Sequence, residues 1–313
     1  SNSWMGWQIP IFTEGNYCSS RISKIYKKNI LNFLRLGGIP VIAGFQGVNV
    51  NNRITTLGRG GSDASAIMLS KFFKAKKCVI YTDVEGVMTT DPRTLKKAKK
   101  IKIISYEEML EMASLGAKVM QPHSIQDARL NRINIDVKSS FTNKEGTLIT
   151  KRKNISNNKT ITGITSTKND SKITLVGVKD KPGVAASIFK PLSQNFINVD
   201  MVVQNISANG KETDLTFTIK TEELQKTSKL LRQNKKIKFK KLIIDKNVSK
   251  VSIIGVGMIT TPGVTYRMFQ ALANKGINIL VISTSEIKIS VLINKKNLKK
   301  AVYTLHKEFG LYI

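Results

Sequence analysis

Two cysteines in 313 residues, Cys18 and Cys78, are too few and too far apart for a disulfide framework or a metal knuckle, and point to the cytoplasm. Long apolar runs are missing too. None approaches the roughly 20 residues that cross a bilayer, so no membrane helix is expected. Acidic residues are scarce, 21 against 51 Lys and Arg, leaving a formal charge of +30. Such an excess commonly marks partners with phosphate surfaces. Here the lysines are spread along the whole chain among Asn and Ile, as in KNILNF, ISNNKT and INKKNLKK, which is the mark of an A/T-rich coding bias rather than a binding stripe. No aromatic-interleaved basic patch and no zinc spacing accompanies them. Neither nucleic acid nor membrane is therefore expected as a partner, beyond a salt-sensitive background affinity for nucleic acid. The opening SNSWMGWQIPIF lacks the charged segment and cleavage pattern of a signal peptide. Beginning without Met and almost directly in a strand-like run, the chain reads as one cut upstream.

The length suggests at least two domains. Over 1–150, short apolar runs alternate with helix-period segments, the α/β pattern of strands and helices around a mostly parallel sheet. Gln8 to Phe12, Pro40 to Phe45, Cys78 to Asp83 and Ile133 to Val137 are the predicted strands, rich enough in Ile and Val to be buried on both faces. Ser62 to Phe73 has helical apolar spacing, and Ser105 with Glu108 forms a capping box ahead of Met109. A polar, aperiodic stretch at 151–159 is the predicted linker. Beyond it, the 35-residue stretch from Ile173 repeats at Val251: strand, Pro-Gly turn, amphipathic helix, Ile-Asn strand. A further strand and helix follow in each, Asp214 to Ile219 with Glu222 to Arg232, and Ile287 to Ile293 with Lys296 to Phe309. That is the βαββαβ plan of a ferredoxin-like module in two copies, 160–246 and 247–313.

The richest stretch is TTLGRGGSD, Thr55 to Asp63, which opens a helix. Gly58, Gly60 and Gly61 let backbone N–H groups approach an anion, and the helix start adds partial positive charge. Arg59 can grip a carboxylate with two parallel hydrogen bonds. TDVEGVMTTDPR, Thr82 to Arg93, sits at the carboxyl end of a strand, where open α/β sheets bind ligands. Arg93, and Lys118 in the LGAKV run, can supply charge to phosphates. Taken singly, each motif is as readily a tight turn, a loop cap or a solvated charge, and no Gly-Lys-Ser/Thr follows the glycines.

Taken in order, GFQG, TTLGRGGSD, TDVEGVMTTDPR and SYEEMLEMASLGAKV resemble the aspartokinase family of the amino-acid-kinase fold. The resemblance implies an amino-acid-kinase-type mostly parallel sheet with helices on both faces. It also implies aspartate binding by Arg59, Gly60, Gly61, Ser62 and Asp63, and contacts to ATP from Thr82, Asp83, Gly86, Val87, Met88, Arg93 and Lys118. Magnesium is implied with ATP. Met88, Gln121 and Ala64 depart from the frequent family residues Tyr, His and Tyr. The family's Lys-Phe-Gly-Gly strand, whose lysine stabilises the transferring phosphate, and its Gly-Glu pair do not occur in these residues.

The two repeats resemble ACT domains, which pair and bind amino acids between them. The resemblance implies an effector site at Asp180, Pro182, Gly183, Val184 and Ala185, facing Ile197, Asn198, Val199, Asp200 and Gln204. Its counterpart is Thr261, Pro262, Gly263 and Val264 with Asn278 and Thr284. Lysine, threonine or both are the implied effectors, and a homodimer, or a hetero-oligomer with a complete subunit, the implied assembly. The rival function is a non-catalytic, amino-acid-binding regulatory subunit. A kinase for glutamate, acetylglutamate or uridylate fits the glycine-rich motif and the repeat less well.

Overall fold

The computed structural model describes residues 1–312 apart from 118, 153–158, 207–211 and 235–236, so most of the predicted linker lies outside the described residues. The chain divides into two compact units, Ser1–Thr89 with Ala98–Thr162, and Thr90–Lys97 with Gly163–Ile313.

The first unit contains strands β1 (Asn2–Trp4), β2 (Ile11–Glu14), β3 (Arg21–Ile25), β4 (Pro40–Ile42), β5 (Gln46–Val48), β6 (Ile54–Thr56), β7 (Cys78–Thr82), β8 (Ile103–Ser105), β9 (Ile135–Ser139) and β10 (Thr147–Thr150). Helices α1 (Lys28–Arg35), α2 (Gly61–Phe72), α3 (Tyr106–Ser114) and α4 (Pro122–Asn131) lie between them. The strands form β1-β4, β3-β2-β5-β6 and β7-β9-β10-β8 sheets. Parallel pairings (β1 with β4, β2 with β5, β7 with β9, β8 with β10) mix with antiparallel ones, β2 with β3, β5 with β6 and β9 with β10.

The first predicted strand is displaced. Gln8 and Ile9 lie in a turn whose amides return to the Met5 carbonyl, and pairing starts at Ile11. Ile9 is buried all the same, in a cluster with Ile11, Ile22, Ile25, Ile30 and Leu57 that receives Ala64 and Met68 of α2. Burial of this kind, at about 25 cal/mol per Å² of apolar surface, is what fixes α2 in place. The predicted capping box is present: Glu108 N–H donates to Ser105 Oγ while Ser105 N–H donates to Glu108 Oε2.

In the second unit, β12 (Asp170–Lys179), α5 (Val184–Gln194), β13 (Asp200–Ile206), β14 (Glu212–Lys220), α6 (Leu224–Gln233) and β15 (Lys241–Asp245) make one module, with sheet order β13-β14-β12-β15. The second module has β16 (Val248–Ile254), α7 (Val264–Ala273), β17 (Ile279–Ser285), β18 (Lys288–Asn294) and α8 (Leu298–Glu308), and among the described residues no strand follows α8. Its fourth strand is β11 (Gly163–Thr167), which pairs antiparallel with β16. The expected boundaries put 163–167 in the first module, and its hydrogen bonds put it in the second.

The repeat extends to irregularities. Each module has a register break early in its second strand, at Asp200/Val203 and at Ile279/Val281. The first turns Met201, at φ +49°, into a cluster with Val248, Val281 and Leu292 of the other module. Lys250 of β16, almost fully buried, pairs with Asp200 at the same junction.

On α8, His306 is fully buried and meets the Tyr312 ring edge-on at 4.5 Å. Burial holds its imidazole down at about 4. The unfolded chain, with an ordinary value of about 6.5, then binds a proton that the folded chain refuses, so stability rises with pH across that window. Acidification from pH 7 to 4 is expected to remove on the order of 3 kcal/mol through this residue. Unfolding of the native and His306→Leu chains across that range measures it, the native chain losing more.

Candidate active site and effector cavity

The glycine-rich turn owes its shape to what surrounds it. Gly60 stands at φ +74°, as the residue before α2, with no side chain capping the helix. A Cβ on Gly60 would lie 2.4 Å from Gln121 Cγ and 3.4 Å from His123 Cε1, so the turn rests directly on the start of α4. Ser124, fully buried, follows there. On the other side Phe45, itself at φ +69°, donates its N–H to Ser65 Oγ at 2.9 Å, and a Cβ on Gly61 would strike its ring at 2.7 Å. Ser65 in turn donates to the Gly61 carbonyl at 2.8 Å. The first turn of α2 is thus clamped while its free N–H groups keep no side-chain acceptor.

Around that turn Arg59 and Ser62 are exposed and Asp63 is half-buried. Burial pushes the Asp63 carboxyl above its ordinary range, and the nearby His123 offsets part of this. Asp127 on α4 behaves alike, raised by burial and opposed by His123, Arg21 and Lys71. Asp63, in the first turn of α2 beside the exposed Arg59 guanidinium, can help hold a zwitterion: carboxylate on Arg59 and the free N–H groups, ammonium on Asp63.

The loop after β7 is built differently. Thr82 donates to Asp83 Oδ1 at 3.1 Å, at the exposed strand end. Gly86, at φ +140°, and Val87 are buried, because Val87 N–H donates to Thr147 Oγ1 at 2.8 Å and Thr147 donates to the Ile101 carbonyl at 2.6 Å. Met88 bridges to Lys100. Glu85 sits between Lys144 and Lys100, and the Lys144 hydrogen bond holds its carboxyl below the usual range. Gly86 and Val87 therefore frame the loop, leaving Thr82 and Asp83 at its accessible end. Arg93 lies on Thr90–Lys97, within the second compact unit, and its guanidinium is tied to Asp91 by Nε–Oδ1 at 3.1 Å and Nη2–Oδ2 at 3.0 Å. Lys118 lies outside the described residues.

In the second unit a cavity of about 430 Å³ opens at the start of α5, lined by Asp180, Pro182, Gly183, Val184, Ala185 and Gln204 among others. Gly183 takes φ +86° with open space where a Cβ would stand, and Gln204 Nε2 donates to Asp180 Oδ1 at 3.4 Å. The other residues anticipated on this face do not line it. Ile197 is in the module core, Val199 packs against that core and Asn198 is exposed. Asp200 is committed to Lys250: burial alone would raise its carboxyl, but the ammonium brings it below the usual range. In the second copy Gly263 precedes α7 at φ +84°, with Thr261 half-buried, Val264 buried, and Pro262, Asn278 and Thr284 exposed.

Residues 8–139 match the amino acid kinase family, and 173–234 and 251–309 match the ACT domain. The aspartokinase of Helicobacter pylori is 45% identical over 313 residues, covering 99% of this chain and 77% of that protein. The chain belongs to the aspartokinase family. Escherichia coli aspartokinase III, determined with aspartate and ADP in an R-state, superposes with a TM-score of 0.76 at 25% identity, over 98% of this chain and 69% of that one. The same enzyme with lysine and aspartate, in a T-state, gives 0.79 over the same shares. The aspartokinase fold is thus present in both units, with the glycine turn and the ACT cavity as its two candidate ligand sites.

His123 and Phe45 were not anticipated as site residues; Phe45 stood inside the GFQG motif, while nothing local marks His123.

Gly60→Ala is expected to cost about 1 to 2 kcal/mol for the left-handed backbone, with a further clash on Gln121. Denaturant unfolding of Gly60→Ala and of the Gly60→Ala/Gln121→Ala pair checks this, the second change recovering only the steric part.

Proposed function

We propose that this chain is an aspartate kinase, transferring the γ-phosphoryl group of ATP to the side-chain carboxylate of L-aspartate to give 4-phospho-L-aspartate and ADP. The reaction opens lysine, threonine and methionine biosynthesis in the cytoplasm. The observation that carries this reading is the left-handed turn at Gly60, which leaves the start of α2 uncapped between Arg59 and Asp63. A relative of the same fold determined with aspartate and ADP supports it. Donor and acceptor are both anions, so the protein must chiefly position and neutralise them. Arg59, Gly60, Gly61 and Ser62 take an aspartate carboxylate, and ionised Asp63 takes the ammonium. Thr82 and Asp83 face the nucleotide at the end of β7, framed by Gly86, Val87 and Met88.

Mg²⁺ accompanies ATP in this reading. No cluster of three or more metal-ligating side chains occurs among the described residues. That fits an ion held mainly by phosphates and water with a single carboxylate, for which Asp83 is available.

The ACT cavity is the regulatory site for lysine, threonine or both. A relative determined with lysine supports the first. The N–H groups of Gly183 and Ala185 at the start of α5 take the effector carboxylate, and Asp180 with Gln204 takes its amines. Edge strands β13 and β17, with exposed Val202, Leu280 and Ile282, suit pairing into a homodimer or with a complete subunit.

Titration calorimetry with L-aspartate tests the first site: Arg59→Lys and Asp63→Asn are each expected to weaken binding at least tenfold while ADP binding persists. Undiminished aspartate affinity in both would contradict the assignment. Gln204→Ala is expected to weaken lysine or threonine binding severalfold without altering aspartate affinity, measured the same way.

A further inference from the structure

Glu108 closes the start of α3, and its side chain reaches further. Its buried carboxylate accepts from Ser105 N–H at 3.1 Å and from Ser105 Oγ at 2.6 Å through Oε2. Through Oε1 it accepts from Thr162 Oγ1 at 2.6 Å. Thr162 is the last residue of the first compact unit, and Gly163, the next, begins β11. One carboxylate therefore closes a helix start in the first unit and grips the residue from which the chain leaves for the second. Contacts run on from both sides of this joint. Within the first unit, Glu107 pairs with Arg129 of α4 at 3.2 Å, and Gln121, just ahead of α4, is the residue that Gly60 rests on. Within the second, β11 pairs with β16 as far as Thr167 opposite Lys250. Lys250 holds Asp200, and β13, which Asp200 begins, brings Gln204 to the cavity.

We propose that the Glu108–Thr162 hydrogen bond is a regulatory joint: effector bound at the α5 cavity displaces β11, and Thr162 passes that displacement through Glu108 to α3, α4 and the Gly60 turn. The role rests on the reading of Arg59–Asp63 as the aspartate site and of the α5 cavity as the effector site. A buried carboxylate that loses a hydrogen-bond donor pays for it in desolvation, so the α3 cap follows Thr162 rather than parting from it. Coupling between distant sites is carried by such contiguous runs of packed and hydrogen-bonded groups. It is also reciprocal, so aspartate must change effector affinity by the same factor that effector changes aspartate affinity.

The test is titration calorimetry of L-aspartate, without and with saturating L-lysine plus L-threonine, on the native chain, Thr162→Val and Thr162→Ser. Valine keeps the shape of threonine and removes the hydroxyl, whereas serine keeps the hydroxyl. The effectors are expected to shift the aspartate affinity of the native chain and of Thr162→Ser about fivefold or more, and that of Thr162→Val less than about twofold. Each ligand alone should bind all three chains equally. Hydrogen exchange on the native chain gives a second readout that needs no variant: the effectors alone are expected to change exchange in 105–110, at the start of α3. Undiminished coupling in Thr162→Val, its loss in Thr162→Ser as well, or a native chain with no coupling or no response in 105–110 overturns the joint and leaves both site readings standing. Weaker aspartate binding by Thr162→Val without effector makes Thr162 a static support and also overturns it. Failure of the native chain to bind aspartate or the effectors overturns the corresponding site reading and the proposal with it.

Discussion

A helix that begins on a glycine held at positive φ gains no side-chain cap, and this protein uses that device at Gly60, Gly183 and Gly263, ahead of α2, α5 and α7. The contrast with α3 is instructive, since Ser105 and Glu108 there satisfy each other's backbone donors and leave nothing for a ligand. Free N–H groups at a helix start carry partial positive charge and are costly to bury unpaired. They ask for an anion. In the proposed reading the sites for substrate and effector both rest on this one backbone solution, and amino acid carboxylates are the chemistry common to the two units.

Each uncapped start has a specific support. At Gly60 it is steric: Gln121 and Ser124 close one side, Phe45 and Ser65 the other, and Ala64 and Met68 anchor the helix in the apolar cluster below. At Gly183 the space in front of the helix is left open, and the facing strand β13 brings Gln204 across to Asp180. The bulge that begins β13 aims Met201 and Asp200 the opposite way, toward Val248 and Lys250 of the second module. One face of the strand therefore serves a cavity while its first residues join the modules. In the proposed reading, a ligand that draws Gln204 inward acts on a strand fastened to the neighbouring module, which is a physical basis for coupling of about 1 to 3 kcal/mol.

Much of this was legible in the sequence, for reasons that differ by residue. The glycines of TTLGRGGSD and the two Pro-Gly turns announce positive φ because few other residues tolerate it. The Ser105–Glu108 capping box is equally local. Apolar periodicity located buried residues better than hydrogen-bonded ones: Ile9 is in the core as expected, yet it lies in a turn rather than a strand. What stayed hidden depends on contacts far apart in sequence. Nothing within GITST says that it completes a sheet beginning at Val248, across an entire intervening module. Likewise Asp200 reads as an effector ligand until Lys250 is placed beside it, and His123 reads as an ordinary surface residue until α4 is set against Gly60.

The central claim is that substrate and effector bind at two separate uncapped helix starts. Hydrogen exchange followed by mass spectrometry, on the chain alone and with saturating L-aspartate or L-lysine, tests it most directly. Aspartate is expected to slow exchange in 57–66, at the start of α2, and lysine in 178–188, at the start of α5. Protection of the same segment by both ligands, or protection that leaves both helix starts unchanged, would contradict it.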